Sequence, residues 1–156
     1  MKKTSCAFTG HRVISNNVTE EIKKALVAEI VTLIELGVTE FIAGGALGFD
    51  TIAAKTVIEL KEKYPDITLR LILPCPEQDI KWKEKDKAIY RDILTLADSI
   101  EYVSNGYTDT CMLDRNRVMV DNASFLIAYY DGRKRSGTAM TVSYAIKNGV
   151  KVINLF

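Results

Sequence analysis

"SFLIAYYDGRKRSGTAMTVSYAIKNGVKVINL", residues 124–155, decides the fold of this chain. It opens on an apolar run of strand length, Ser124 to Tyr129. A glycine-bearing basic turn follows, then a predicted helix over Ser136 to Lys147 and a second apolar run over Val150 to Leu155. A strand, a crossover helix and another strand make a parallel pair.

The same alternation continues toward the N-terminus. Thr4 to Thr9 is a strand candidate ending at Gly10. Val18 to Leu36 predicts a helix, with Ile22, Leu26, Ile30, Leu33 and Ile34 at helical spacing, Asn17 or Thr19 as cap and Gly37 as stop. Glu40 to Ala43 is a strand stopping at Gly44-Gly45, and Leu47 to Lys63 a helix closed by Tyr64-Pro65. Thr68 to Leu73 is a strand ended by Pro74 and Pro76, Glu77 to Ala97 is mostly helical and charged, and Ser99 to Val103 is a strand. Asp109 to Asp121 is a helix carrying Arg115 and Arg117. Unbroken strand–helix alternation predicts an α/β fold, Rossmann-like and doubly wound, with a mostly parallel sheet and helices on both faces. One domain over residues 1–156 is expected, because no linker, repeat or low-complexity segment interrupts the pattern.

Composition narrows the partners. With 47% hydrophobic residues a packed core is expected rather than disorder. The 21 Lys and Arg against 20 Asp and Glu leave a net charge of +1, so an anion must be held locally rather than by a global field. Cys6, Cys75 and Cys111 are widely spaced, and with one histidine they do not form a metal set; free thiols are expected, with no metal and no cofactor. The apolar run near the N-terminus is short and nothing approaches a membrane span, so a cytoplasmic chain without membrane contact is expected.

In a doubly wound sheet, ligands lie outside the carboxyl ends of the strands at the switch in strand order. Gly10, His11 and Arg12 follow the first strand. Gly44, Gly45, Gly48 and Asp50 follow the second, and Ser136, Gly137 and Thr138 open the last helix. Such turns let backbone approach a ligand and aim free N–H groups at an anion, most often phosphate. His11 beside Arg12 is either a turn residue or a ligand contact, and Asp50 is either a local cap or a partner for ribose hydroxyls. Arg115 and Arg117 stand two residues apart and cannot share one helix face. One pairs on the surface with Asp114 or Asp121 while the other is free to enter the cleft, where a guanidinium suits phosphate; if a terminal turn of the helix unwinds, both reach it. Trp82 is either core or a flat wall for a nucleobase. The Gly44–Gly48 spacing is not the G-x-G-x-x-G fingerprint, so conventional NAD binding is not expected.

Three motifs carry a family resemblance. Arg115-Asn116-Arg117, followed by a strand and "SGTAMTVSYA", resembles the Rossmann domain of the DNA-processing protein DprA/Smf through Ser136, Gly137, Thr138, Thr141 and Ala145. "AGGALGFDTIAA" resembles the same family through Gly44, Ala46, Gly48, Asp50 and Ala53, and "FTGHR" through Gly10 and Arg12. Met112, Arg115 and Met119, with Gly137 and Thr138, are similar to the LOG family of nucleoside 5′-monophosphate phosphoribohydrolases, whose catalytic glutamate position is Thr141 here. The ordered set resembles the SLOG superfamily that unites the two, most closely its stand-alone YpsA-like branch.

The resemblance implies a nucleotide or nucleotide-derived ligand, held by backbone N–H groups near Gly45, Gly137 and Thr138 and by Arg115 or Arg117. Three functions follow from it. The first is a sensor whose occupancy a partner reads. The second is a phosphoribohydrolase-like enzyme in which Asp50, Asp131 or His11 replaces the missing glutamate. The third is DprA-like binding of single-stranded DNA, which the near-zero net charge disfavours. Related domains dimerise, so a homodimer is a candidate assembly.

Overall fold

The structure is a computed structural model that describes residues 5–156. Six strands alternate with five helices: β1 Ser5–Gly10, α1 Thr19–Glu35, β2 Glu40–Ala43, α2 Phe49–Leu60, β3 Thr68–Leu73, α3 Glu84–Leu96, β4 Ser99–Tyr102, α4 Cys111–Asp121, β5 Phe125–Tyr129, α5 Gly137–Lys147 and β6 Lys151–Asn154. All pairings are parallel, in the order β4-β3-β2-β1-β5-β6. The expected Rossmann-like doubly wound architecture is what the chain adopts. Thr4, the first residue of the expected first strand, lies outside the described residues.

The order fixes where a ligand site can be. From β1 the chain steps outward through β2, β3 and β4, then returns to the other side of β1 for β5 and β6. Right-handed crossovers made in opposite directions place their helices on opposite faces. Accordingly α1, α2 and α3 share one face, and α4 and α5 the other. The reversal falls between β1 and β5, so the crevice at their carboxyl ends is the switch point.

Period-two alternation splits each central strand between two cores. Cys6 and Phe8, Phe41, Leu69, Leu71 and Leu73 face α1–α3, while Ala7, Ile42, Ile72, Leu126 and Ala128 face α4 and α5. Helix α1 adds Ile22, Leu26, Ile30 and Leu33 to the first core at the spacing read from the sequence. Phe8, Phe41 and Phe49 are at most 1% exposed, and burial of each contributes about 2 kcal/mol. The Phe8 and Phe41 rings stack at 6.2 Å, and Phe49 meets Phe8 edge-on at 6.5 Å. All three cysteines are buried free thiols.

Two local expectations shift. Residues 77–83 form turns rather than the first part of a helix, because Gln78 turns inward to donate to the Tyr90 hydroxyl at 3.1 Å. Neither Asn17 nor Thr19 caps α1; a short 3-10 turn, Asn16–Val18, leads into it, and Ser15 accepts from the Asn17 N–H at 3.3 Å. No helix among the described residues is long and apolar enough to cross a membrane.

Candidate functional site

The switch-point crevice encloses about 310 Å³. Its walls bring together the end of β1, the loop before α2, one face of α4 and the start of α5. Gly10, His11, Arg12, Asp50, Arg115, Ser136, Gly137 and Thr138 all line it, from four separate stretches of sequence.

The wall from the β2–α2 loop is tightly built. A Cβ on Gly44 would stand 2.8 Å from Arg115 Nη1 and 2.9 Å from Asp50 Oδ2. Arg115, 4% exposed, donates from Nη1 to the Gly44 carbonyl and from Nε to Asn116 Oδ1 at 2.7 Å. Asp50, 7% exposed, accepts from the Ala46 N–H at 3.3 Å. Burial pushes the Asp50 carboxyl up to about 6, against the opposing pull of Arg115, the Ala46 hydrogen bond and Arg12. Burial likewise lowers Arg115, with Asp50 pulling the other way. Gly48 has φ +78°, and a Cβ there would lie 2.3 Å from the Arg12 carbonyl oxygen. The Phe49 N–H donates to the His11 carbonyl at 3.1 Å. At the start of α2 the first N–H, that of Phe49, therefore has a carbonyl acceptor, while the Asp50 carboxylate serves the preceding loop at Ala46. Gly45 and Gly48 stand behind the crevice and hold the loop against its neighbours rather than lining the space.

The β5–α5 turn is built differently. Ser136 caps α5 by accepting from the Ala139 N–H at 3.0 Å, and its carbonyl accepts from the Met140 N–H at 3.2 Å. The N–H groups of Gly137 and Thr138 have no partner among the described residues. A Cβ on Gly137 would meet nothing within 4 Å. This is an open helix start, with the partial positive charge of its dipole.

His11 links β1 to this turn. Its ring is 6% exposed, and Nε2 accepts from the Asp131 N–H at 3.0 Å. Burial, then Arg133, lowers its pKa below the ordinary histidine value, in keeping with a neutral ring that accepts at Nε2. Arg133 donates from Nε to both Asp131 oxygens at 3.0 Å and holds that carboxyl well below the usual range. Arg133 also lines the crevice and brings a second exposed guanidinium beside that of Arg12.

Of the two arginines of α4, Arg115 points in and Arg117 points out. Arg117 lies over the Tyr144 ring at 5.8 Å, and the Tyr144 hydroxyl donates to Asp121 at 2.7 Å. It lines a separate groove of about 500 Å³ between α4 and α5, with Lys134 and Lys147. Trp82 lines neither space. It packs edge-on against Tyr90 at 5.1 Å and borders a third, larger groove. Sequence reasoning overlooked Asn116 and Arg133 as lining residues. The Asp131-Gly132-Arg133 turn, between a strand end and an open helix start, was the available signal for Arg133. Among the described residues no group of three His, Cys, Asp or Glu could hold a metal ion.

Comparison with known proteins places this arrangement. The YpsA family profile, described as the YspA SLOG family, matches residues 9–152. A UPF0398 protein of Bacillus cereus is 32% identical over 132 residues, 83% of this chain and 72% of that protein. One from Brevibacillus brevis is 38% identical over 112 residues, 70% of this chain and 60% of the relative. Among solved structures, DprA from Streptococcus pneumoniae matches 96% of this chain at 18% identity with a TM-score of 0.70, and the chain spans 49% of it. DprA from Helicobacter pylori, whose structure concerns its single-stranded DNA binding mode, matches with a TM-score of 0.66 at 19% identity, and the chain spans 64% of it. At those identities the two structures support the fold alone. The profile covers all but the first eight and last four residues of the chain, including every residue of the crevice. The chain thus belongs to the YspA SLOG family.

Proposed function

We propose that the chain binds a nucleotide or nucleotide-derived ligand in the switch-point crevice and acts as a sensor whose occupancy a partner reads. The observation that carries this reading is the open start of α5, where two unpartnered N–H groups face a crevice rimmed by Arg12 and Arg133. Backbone donors, a helix dipole and the guanidinium groups of Arg12 and Arg133, the latter held by Asp131, favour a phosphate. Asp50, on the β2–α2 wall of the same crevice, suits the hydroxyls of a sugar. A binding role fits Thr141 better than a catalytic one: its hydroxyl donates to the Gly137 carbonyl at 2.8 Å, where a phosphoribohydrolase has its glutamate.

The test is thermal unfolding with a panel of adenine nucleotides and ADP-ribose. A ligand at 100 times its dissociation constant adds about 2.7 kcal/mol. Gly137→Asp, which puts a carboxylate where the phosphate would sit, is expected to remove the shift and leave the apo melting temperature in place. A broad panel without any shift removes the basis of the reading.

One observation favours a second reading, single-stranded DNA. The groove lined by Arg117, Lys134 and Lys147 also carries Tyr130 and Tyr144, and it adjoins the crevice through Leu113 and Asn116. Basic side chains interleaved with aromatics suit a single strand. The fold relationship to DprA agrees with it.

A further inference from the structure

We infer that the ligand is bipartite: an adenine-type base lies in the groove between Trp82 and Tyr107, while its phosphate end occupies the crevice. The inference rests on the nucleotide reading above. The groove, about 920 Å³, is the largest of the described cavities, and neither the crevice chemistry nor the fold accounts for it. Its apolar lining is Leu47, Ile80, Trp82, Tyr107 and Met112. Ile80 is 65% exposed and Tyr107 is 68% exposed, so large apolar surface is left to solvent at the edge of a concavity.

Three observations join this groove to the crevice. Arg12 and Met112 line both, so the two spaces are contiguous through a guanidinium and a flexible thioether. Trp82 is half-buried and held by its edge-on contact with Tyr90, whose hydroxyl accepts from Gln78. A Cβ on Gly45 would meet both Gln78 Nε2 and Tyr90 Cε1 at 3.1 Å, so the crevice loop packs directly on the support of the tryptophan. An aromatic fixed in this way is a preformed stacking surface.

The rim indicates which flat molecule. Glu77 and Asp86 are acceptors at the edge of the groove, suited to an exocyclic amino group, and Arg12, Lys81 and Lys83 are cations facing the anionic half. An apolar cleft with a few convergent polar groups is the ordinary design of a small-molecule site.

Trp82 is the only tryptophan in the chain, so intrinsic emission reports on this groove. The experiment compares ADP with ribose 5-phosphate on the full chain by calorimetry and by tryptophan emission. ADP is expected to quench Trp82 and to bind at least tenfold more tightly than ribose 5-phosphate, which competes with ADP but leaves emission unchanged. Tyr107→Ala is expected to weaken ADP about tenfold, within the range of one lost stacking contact, and to leave ribose 5-phosphate unaffected. If ADP binds by calorimetry with no change in emission and Tyr107→Ala leaves its affinity intact, the bipartite inference is overturned while the crevice reading stands. If neither compound binds, both fall together.

Discussion

Two glycine turns lie at the carboxyl edge of the sheet and read alike in sequence, yet their physical uses are opposite. Between β2 and α2, the space beside Gly44 is taken by Arg115 and Asp50, and that beside Gly48 by the backbone of His11 and Arg12. Between β5 and α5, the space beside Gly137 is empty to 4 Å. The first turn uses its glycines for packing, and the first N–H of its helix, that of Phe49, is met by the His11 carbonyl. The second leaves the space beside Gly137 open and the first N–H of its helix without a partner among the described residues. A glycine between a strand and a helix therefore says little until one asks what a methyl group would meet there.

The sharpest way to break this contrast is to add that methyl group on each side. Gly48→Ala combines a positive φ with a backbone oxygen at 2.3 Å, which no rotamer change relieves. The cost is expected to be about 4 kcal/mol, at the extreme of single substitutions. Gly137→Ala is expected to change stability by less than about 0.5 kcal/mol, since its φ is not in the left-handed region and nothing obstructs the side chain. Urea unfolding of both variants decides it. Equal costs would mean that the two turns are built alike after all.

A second measurement probes the carboxylate that the closed turn supplies for itself. Asp50 is raised from 3.8 to about 6. Between those values the folded chain keeps a proton that the unfolded chain releases. Stability relative to Asp50→Asn should therefore be highest below about pH 4, fall as pH rises to about 6, and stay flat above. At 1.36 kcal/mol per pH unit the window amounts to about 3 kcal/mol. Comparing the two proteins removes the other titrating groups from the result. A flat difference would mean that water reaches Asp50 and that the turn is looser than its packing indicates.

What the sequence made legible follows from what each signal depends on. Helix α1 and the central strands were readable because their apolar spacing is set by burial on known faces. The crevice was readable as a place, since the switch in strand order follows from topology. That the two arginines of α4 diverge was also legible, because residues two apart do not share a helix face. Which one enters was not, because that depends on the carbonyl of Gly44 lying beneath Arg115. Residues 77–83 read as helix on composition, yet Gln78 is drawn to a tertiary partner twelve positions away, which no local pattern records. Trp82 was left between core and ligand wall, and its position fits part of each: one edge on Tyr90, the rest along a groove.

The smallest expected effect belongs to Arg117, which tests whether the open turn works alone or as one end of a longer track. Its side chain is exposed and rests on Tyr144, a contact worth about 0.5–1 kcal/mol at an exposed site. It lines the neighbouring groove and not the crevice. Arg117→Ala is therefore expected to leave the dissociation constant of a mononucleotide within about twofold of the parent, which is less than 0.5 kcal/mol. An oligonucleotide separates the two readings further. If only the crevice holds phosphate, one or two contacts give a slope of log affinity against log salt of about −0.7 to −1.4, unchanged by Arg117→Ala and independent of strand length. A free mononucleotide should then compete fully. If a strand continues past Asn116 into the groove of Arg117, Lys134 and Lys147, the slope steepens with length beyond about −3. Arg117→Ala would then make it shallower by about 0.7, the share of one phosphate. That second pattern would join the open turn to the basic groove and move the assignment to single-stranded DNA.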